Sequence, residues 1–187
     1  VTFQAPPTTE LCELAFKYKS DKTPLIGHTY TPYYHSLFKD RRAEIGKVFE
    51  IGIGWNDGGS LNLWREYFPN ALIFGMDADA SLLVKGERIE SFLCNQKDED
   101  GQRKLAALLG NDFDLIIDDG CHIPELQILS AKIFAPLISP TGIYIIEDVL
   151  YPEIVVPALP WKSETLDFNL EYNIHDDRLV VIRTSDL

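Results

Sequence analysis

Cysteine is sparse in this chain of 187 residues: Cys12, Cys94 and Cys121 lie far apart, which excludes a disulfide framework and a cysteine-based zinc site. A reducing cytoplasm is the compartment this usage favours. Long apolar runs are lacking too, and none approaches the ~20 residues that a membrane helix needs, so no membrane role is expected. Positive charge is in short supply, with 17 Lys and Arg against 29 Asp and Glu, a net charge of −12. An acidic surface repels phosphate backbones, which disfavours a nucleic-acid partner and leaves a neutral or cationic small molecule or glycan as the better substrate. The opening Val1-Thr2-Phe3-Gln4 has neither the basic-then-apolar pattern of a secretory signal nor an initiator Met. A place in a larger multidomain chain therefore stays open, as does a homo-oligomer.

What is present is an alternation of short apolar strands with helical segments. Thr8 or Thr9 can cap a first helix through Leu11, Leu14, Ala15 and Tyr18. A loop over Ser20–Pro32 follows, then a second helix from Tyr33 to about Ile45. Strands are expected at Lys47–Ile53, Ala71–Asp77, Ile89–Cys94, Phe113–Asp119 and Gly142–Asp148, with helices at Ser60–Tyr67, Gly101–Leu109 and Leu126–Leu137 between them. Strands apolar on both faces and separated by helices imply a parallel sheet wound on both sides. Between Asp148 and Leu166 the prolines at 152, 157 and 160 allow only a short helix. Leu166–Ile174 and Arg178–Arg183, flanking the turn His175-Asp176-Asp177, read as a closing antiparallel hairpin. The expected fold is thus α/β and Rossmann-like, a mostly parallel doubly wound sheet ending in a hairpin. Residues 1–46 would form an N-terminal helical cap or lid and residues 47–187 the sheet domain, together one unit.

Polar residues gather where these strands end, the edge at which open parallel sheets bind ligands. The first strand runs into Glu50-Ile51-Gly52-Ile53-Gly54, and Gly58-Gly59-Ser60 opens the next helix. Glycines let a ligand approach the backbone, and a helix start favours an anion such as a carboxylate. Asp77 ends the second strand, placed to accept from ribose hydroxyls. A dinucleotide fingerprint wants glycine at position 57, where Asp57 stands; S-adenosylmethionine, with a positive sulfonium and no phosphate, suits that charge better than NAD. Asp118-Asp119-Gly120-Cys121-His122 and Glu147-Asp148 end two further strands. Such crowded carboxylates call for a cation, and Asp119, Glu147 and Asp148 offer hard oxygen ligands suited to Mg²⁺. His122 can serve as a general base on a hydroxyl. The alternative is that paired aspartates only cap loops and the histidine is structural.

These pieces together resemble the metal-dependent sugar O-methyltransferases of the macrocin and mycinamicin type, within the class I S-adenosylmethionine-dependent methyltransferases. The resemblance runs through Phe49–Gly54, Gly58-Gly59-Ser60-Leu61 with Trp64, Tyr67–Ala71, Gly75-Met76-Asp77, Asp114–His122 and Tyr144–Asp148. Upstream, Ser20-Asp21-Lys22 with His28 and Tyr30 resembles the segment preceding this domain in the family. It implies that Asp119, Glu147 and Asp148 hold Mg²⁺, that His122 is the base acting on a sugar hydroxyl, and that Glu50, Gly52, Asp77 and Asp118 hold the cofactor, with Gly54, Ser60, Asn95 and Gln96 beside them. Cys121 stands where the family has Ser. Cys94-Asn95-Gln96 replaces Gly-Asp-Gln, so Asn95 can bond adenine without charge. Tyr30, Tyr33, Tyr34 and Trp55 could pack on a sugar ring or simply cover a core edge, and Lys22 could reach the cofactor carboxylate or be solvated. A catechol-type or other small-molecule O-methyltransferase, and a non-catalytic cofactor-binding scaffold, remain the alternatives.

Overall fold

The computed structural model describes residues 8–54, 58–168 and 176–184. Trp55, Asp57, His175 and the hairpin arm beyond Phe168 lie outside the described residues. Helix α1 (Glu10–Lys17) starts at Thr9, whose hydroxyl accepts from the Cys12 amide, and α2 spans Tyr30–Phe38. There follow β1 (Lys47–Ile51), α3 (Gly59–Tyr67), β2 (Leu72–Asp77), the short β3 (Lys85–Gly86), β4 (Ile89–Leu93) and α4 (Glu99–Leu109). The second half comprises β5 (Phe113–Asp118), α5 (Pro124–Phe134), β6 (Ile138–Ile146), α6 (Pro152–Ala158), β7 (Glu164–Asp167) and β8 (Arg178–Arg183).

Among the described residues the strands form one sheet in the order β3-β4-β2-β1-β5-β6-β8-β7. The five strands from β4 to β6 are parallel, and β3, β8 and β7 are antiparallel to their neighbours. Chain order reverses on either side of β1, which opens a crevice above its carboxyl end.

Strand periodicity sorts the core into two layers. Val48, Leu115, Ile117, Ile145 and Val181 face Leu11, Tyr34, Phe38 and Trp64 of α1, α2 and α3. The intervening Phe49, Ile116, Tyr144 and Val180 face Leu105, Ala131, Phe134 and Val155 of α4, α5 and α6. Side chains one position apart point to opposite faces, so near-continuous apolar runs are what a sheet covered on both sides requires. Helices α1 and α2 thus share the core of the sheet that follows them.

Three elements differ from expectation. Helix α2 begins before Pro32 rather than after it, because a proline in the first turn gives up an amide that has no intrahelical partner anyway, and it ends at Phe38 rather than near Ile45, giving way to turns before β1. Strand β6 begins at Ile138 and takes Pro140 within it, where the register against β5 shifts between Phe113 and Leu115. The two-residue β3 carried no alternation long enough to read.

Trp64 is fully buried, stacked on Phe68 with centroids 6.0 Å apart and edge-on to Tyr34 at 5.2 Å. Its indole N–H has no hydrogen-bond partner among the described residues. Trp64→Ala is therefore expected to cost about 3–5 kcal/mol in urea denaturation. Trp64→Phe, which keeps a ring and removes an unsatisfied donor, should cost far less.

Candidate active site

The crevice above β1 holds a cleft of about 240 Å³ lined by Ile51, Gly52, Gly54, Asp77, Asn95 and Gln96, among others. A second cavity, about 550 Å³, adjoins it through Gly54, Asp119 and Gly120 and reaches Ser60, Lys22, His122 and Asp148. Gly52 lets the end of β1 pass against the Asp119–Gly120 backbone that lines both. Its φ is +84°, and a Cβ there would press into the carbonyl oxygen of Asp119. The Gly52 amide continues the ladder to Met76, and the Asp119 amide donates to Ile51.

The acids along this edge have separate surroundings. Asp77 accepts from the amides of Ile53 and Asp79, both at 2.9 Å, which holds the glycine turn against β2. Asp118 is buried beneath the cleft floor and accepts from Gln96 Nε2 at 2.8 Å, the Gly120 amide at 3.3 Å and the Tyr144 hydroxyl at 3.3 Å. Burial pushes its carboxyl up to about 7 against those three donors. Gln96 closes the same network, accepting from the Cys121 amide at 2.8 Å and donating to Ser130. Asn95 is exposed at the rim and accepts from the Lys97 amide.

Glu50, Asp119 and Glu147 stand on the opposite face of the sheet from Asp118, as strand parity dictates. They meet at Lys22, whose Nζ bonds Asp119 Oδ2 and Glu147 Oε2 and lies 3.3 Å from Glu50 Oε1. Burial opposes the lysine's charge, but Asp119, Glu147 and Glu50 outweigh it and hold its pKa well above the usual value. Burial likewise lifts Glu50 to about 7 despite Lys22. Tyr34 donates to Glu147 Oε1 at 2.6 Å and Tyr30 to Asp148 Oδ1 at 2.5 Å. His28 Nδ1 lies 3.5 Å from both Asp148 and Asp177.

Asp119, His122 and Asp148 present ligand atoms within 4.8 Å of one another. His122 Nε2 is 3.7 Å from Asp148 Oδ2, and its ring is 40% exposed toward the larger cavity. Both His122 (φ 54°) and Asp148 (φ 51°) adopt left-handed backbone, which bulky residues avoid and which recurs where a side chain must be aimed at a site.

The strand-end acids and His122 thus come to one edge, with Glu147 turned to Lys22 and Tyr34 and Asp118 beneath the cleft floor. The buried position of Lys22 and the carboxylate bonds of Tyr30 and Tyr34 were not legible as such, since the only signal was the Ser20-Asp21-Lys22 run and an aromatic cluster. Two groups can be tested for fit. For S-adenosylmethionine, Gly52 and Gly54 line the cleft with bare backbone next to buried Glu50, which keeps acceptor capacity beyond its 3.3 Å approach to Lys22. For a divalent cation, two carboxylates and an imidazole converge with ligand atoms within 4.8 Å of one another. Both groups fit.

Sheet order, the terminal antiparallel strands and the cleft above β1 are those of the class I methyltransferase fold. The human methyltransferase-like protein 13 shares that fold at 17% identity and a TM-score of 0.58, over 77% of this chain and 74% of its own. More specifically, the chain is homologous to the macrocin- and mycinamicin-type sugar O-methyltransferases. It is 34% identical to the demethylmacrocin O-methyltransferase of Streptomyces fradiae over 176 residues, 89% of this chain and 44% of that protein. It is also 34% identical, with a TM-score of 0.68, to the MycE methyltransferase of the mycinamycin biosynthetic pathway, solved with Mg, SAH and mycinamycin VI. That match covers 79% of this chain and 40% of MycE. The chain spans less than half the length of these relatives. No protein-family model matches it.

Gly52→Ala forces a Cβ into immovable backbone, so calorimetry should show S-adenosylhomocysteine affinity falling at least ~10-fold, with about 1–3 kcal/mol of stability lost. Gly54→Ala tests the argument: its φ is +62° but a Cβ there meets nothing within 4 Å, so only the backbone strain should register.

Proposed function

We propose that this protein is an S-adenosylmethionine-dependent, Mg²⁺-assisted O-methyltransferase acting on a sugar hydroxyl of a glycan or glycosylated small molecule. The observation that carries it is the convergence of Asp119, His122 and Asp148 in a cavity that adjoins the cleft above β1 through Gly54 and Gly120. In this reading Asp77, Asn95 and Gln96 border the nucleoside, with Glu50, Gly52, Gly54 and Ser60 around the methionine end and Asp118 bracing the floor. Asp119 and Asp148, with Glu147 once it leaves Lys22, would hold Mg²⁺, which when bound supplies positive charge for a developing alkoxide. His122 takes the hydroxyl proton on its ring nitrogen.

The two abutting cavities support transfer by direct in-line attack on the sulfonium methyl, with rate drawn from proximity and orientation. Relatives named for sugar methylation support the substrate class. The cytoplasm is the proposed compartment, supported by three unpaired cysteines; among the described residues no helix is long and apolar enough to cross a membrane.

Turnover should be followed with methyl-labelled S-adenosylmethionine on a panel of rhamnosides, other glycosides and catechols, with Mg²⁺ or chelator. His122→Ala and Asp119→Asn should lower it by about 10²-fold or more while S-adenosylhomocysteine still binds. Near-normal rates in both variants, or methylation of catechols alone, would overturn the reading. In thermal unfolding, S-adenosylhomocysteine at ~100 times its Kd adds roughly 2.7 kcal/mol, a rise of about 5–10 °C at this chain length, whereas NAD should give none.

A further inference from the structure

We propose that Lys22 is the resident counter-cation of the carboxylate cluster and sets how tightly that cluster takes a divalent cation. The inference rests on the metal-assisted reading above and concerns a residue outside its ligand set. Three carboxylates from three adjacent strand ends, Glu50 of β1, Asp119 after β5 and Glu147 after β6, converge on one ammonium. An ammonium has three donors; two bond Asp119 and Glu147, and Glu50 lies within ion-pair distance. The lysine side chain is 2% exposed, with Glu50 at 0%, Glu147 at 1% and Asp119 at 23%, so water reaches only the Asp119 partner.

The lysine is held in place rather than reaching in from solvent. Its carbonyl accepts from the amides of Tyr30 and Thr31 at 3.1 and 3.0 Å, which ties the loop to the start of α2. Neighbouring Thr23 is fully buried. Lys22 therefore satisfies Asp119 and Glu147 much as a bound cation would. Two of the three proposed Mg²⁺ ligands are its partners, and it borders the same cavity as His122 and Asp148.

Two consequences follow from charge alone. A divalent cation must draw Asp119 and Glu147 away from Lys22 and sit near a like charge in a poorly solvated place, which weakens its binding. Glu50, already 3.3 Å from Lys22 Nζ, is the acceptor left to the displaced ammonium. Removing the positive charge should therefore tighten metal binding while destabilising the metal-free protein, a gain that a merely structural lysine would not give when removed.

The test is Mn²⁺ binding, by calorimetry and by loss of the free-ion electron paramagnetic resonance signal, to the wild type, Lys22→Met and Lys22→Gln. The expected result is at least tenfold tighter binding in both neutral variants, with thermal unfolding lower than wild type in chelator and recovered by Mn²⁺. Variants that fold only when Mn²⁺ is present support the proposal equally. Binding equal to or weaker than wild type overturns the role of Lys22 and leaves the metal site standing. Mn²⁺ bound by neither wild type nor variant overturns the metal reading and this proposal with it. Should neither variant fold in any buffer, the wild type decides through its Lys22 Nζ resonance in ¹⁵N-lysine-labelled protein. Mg²⁺ should shift that resonance, and a signal unmoved at saturating Mg²⁺ overturns the proposal.

Discussion

Carboxylates crowded at one edge of a parallel sheet are the constraint to which the rest of this structure answers. Glu50, Asp119, Glu147 and Asp148 end up near one another because β1, β5 and β6 are neighbours running the same way. Like charges at that spacing repel, and burial raises the cost of each. The fold meets the cost from its N-terminal segment. Lys22 places an ammonium among three of the acids, while Tyr30 and Tyr34 donate to Asp148 and Glu147. Residues that precede the sheet in sequence thus complete the edge that the sheet creates.

This explains why α1 and α2 cannot be separated from the core beneath them. Tyr34 packs edge-on against Trp64 of α3 while its hydroxyl reaches Glu147, so one side chain joins hydrophobic packing to charge compensation. Tyr30 stacks on His28 and meets Phe168 while holding Asp148. An aromatic ring with a polar tip suits such a boundary, apolar on one side and ionic on the other. The aromatics that could have been sugar platforms are, at positions 30 and 34, second partners of the acids.

Homology and geometry contribute differently to the functional reading. Similarity over most of the chain makes it homologous to sugar O-methyltransferases, yet it matches less than half the length of each. The convergence of Asp119, His122 and Asp148 depends on no relative. It follows from strand adjacency and from two residues held at positive φ, a conformation that aims their side chains into the shared cavity.

Much of this was set locally along the chain. Near-continuous apolar strands alternating with helices determined a doubly wound parallel sheet, because nothing else buries both faces of such strands. The polar residues that break those runs marked the binding edge. Tertiary structure alone decided what each acid does. Whether Glu147 meets a metal or a lysine, and whether Lys22 is solvated or buried, depends on a loop packed 97 residues away from Asp119 and 125 from Glu147. No local pattern encodes a contact of that separation, since a lone lysine in a polar loop has the same sequence signature at the surface as at the centre of a site.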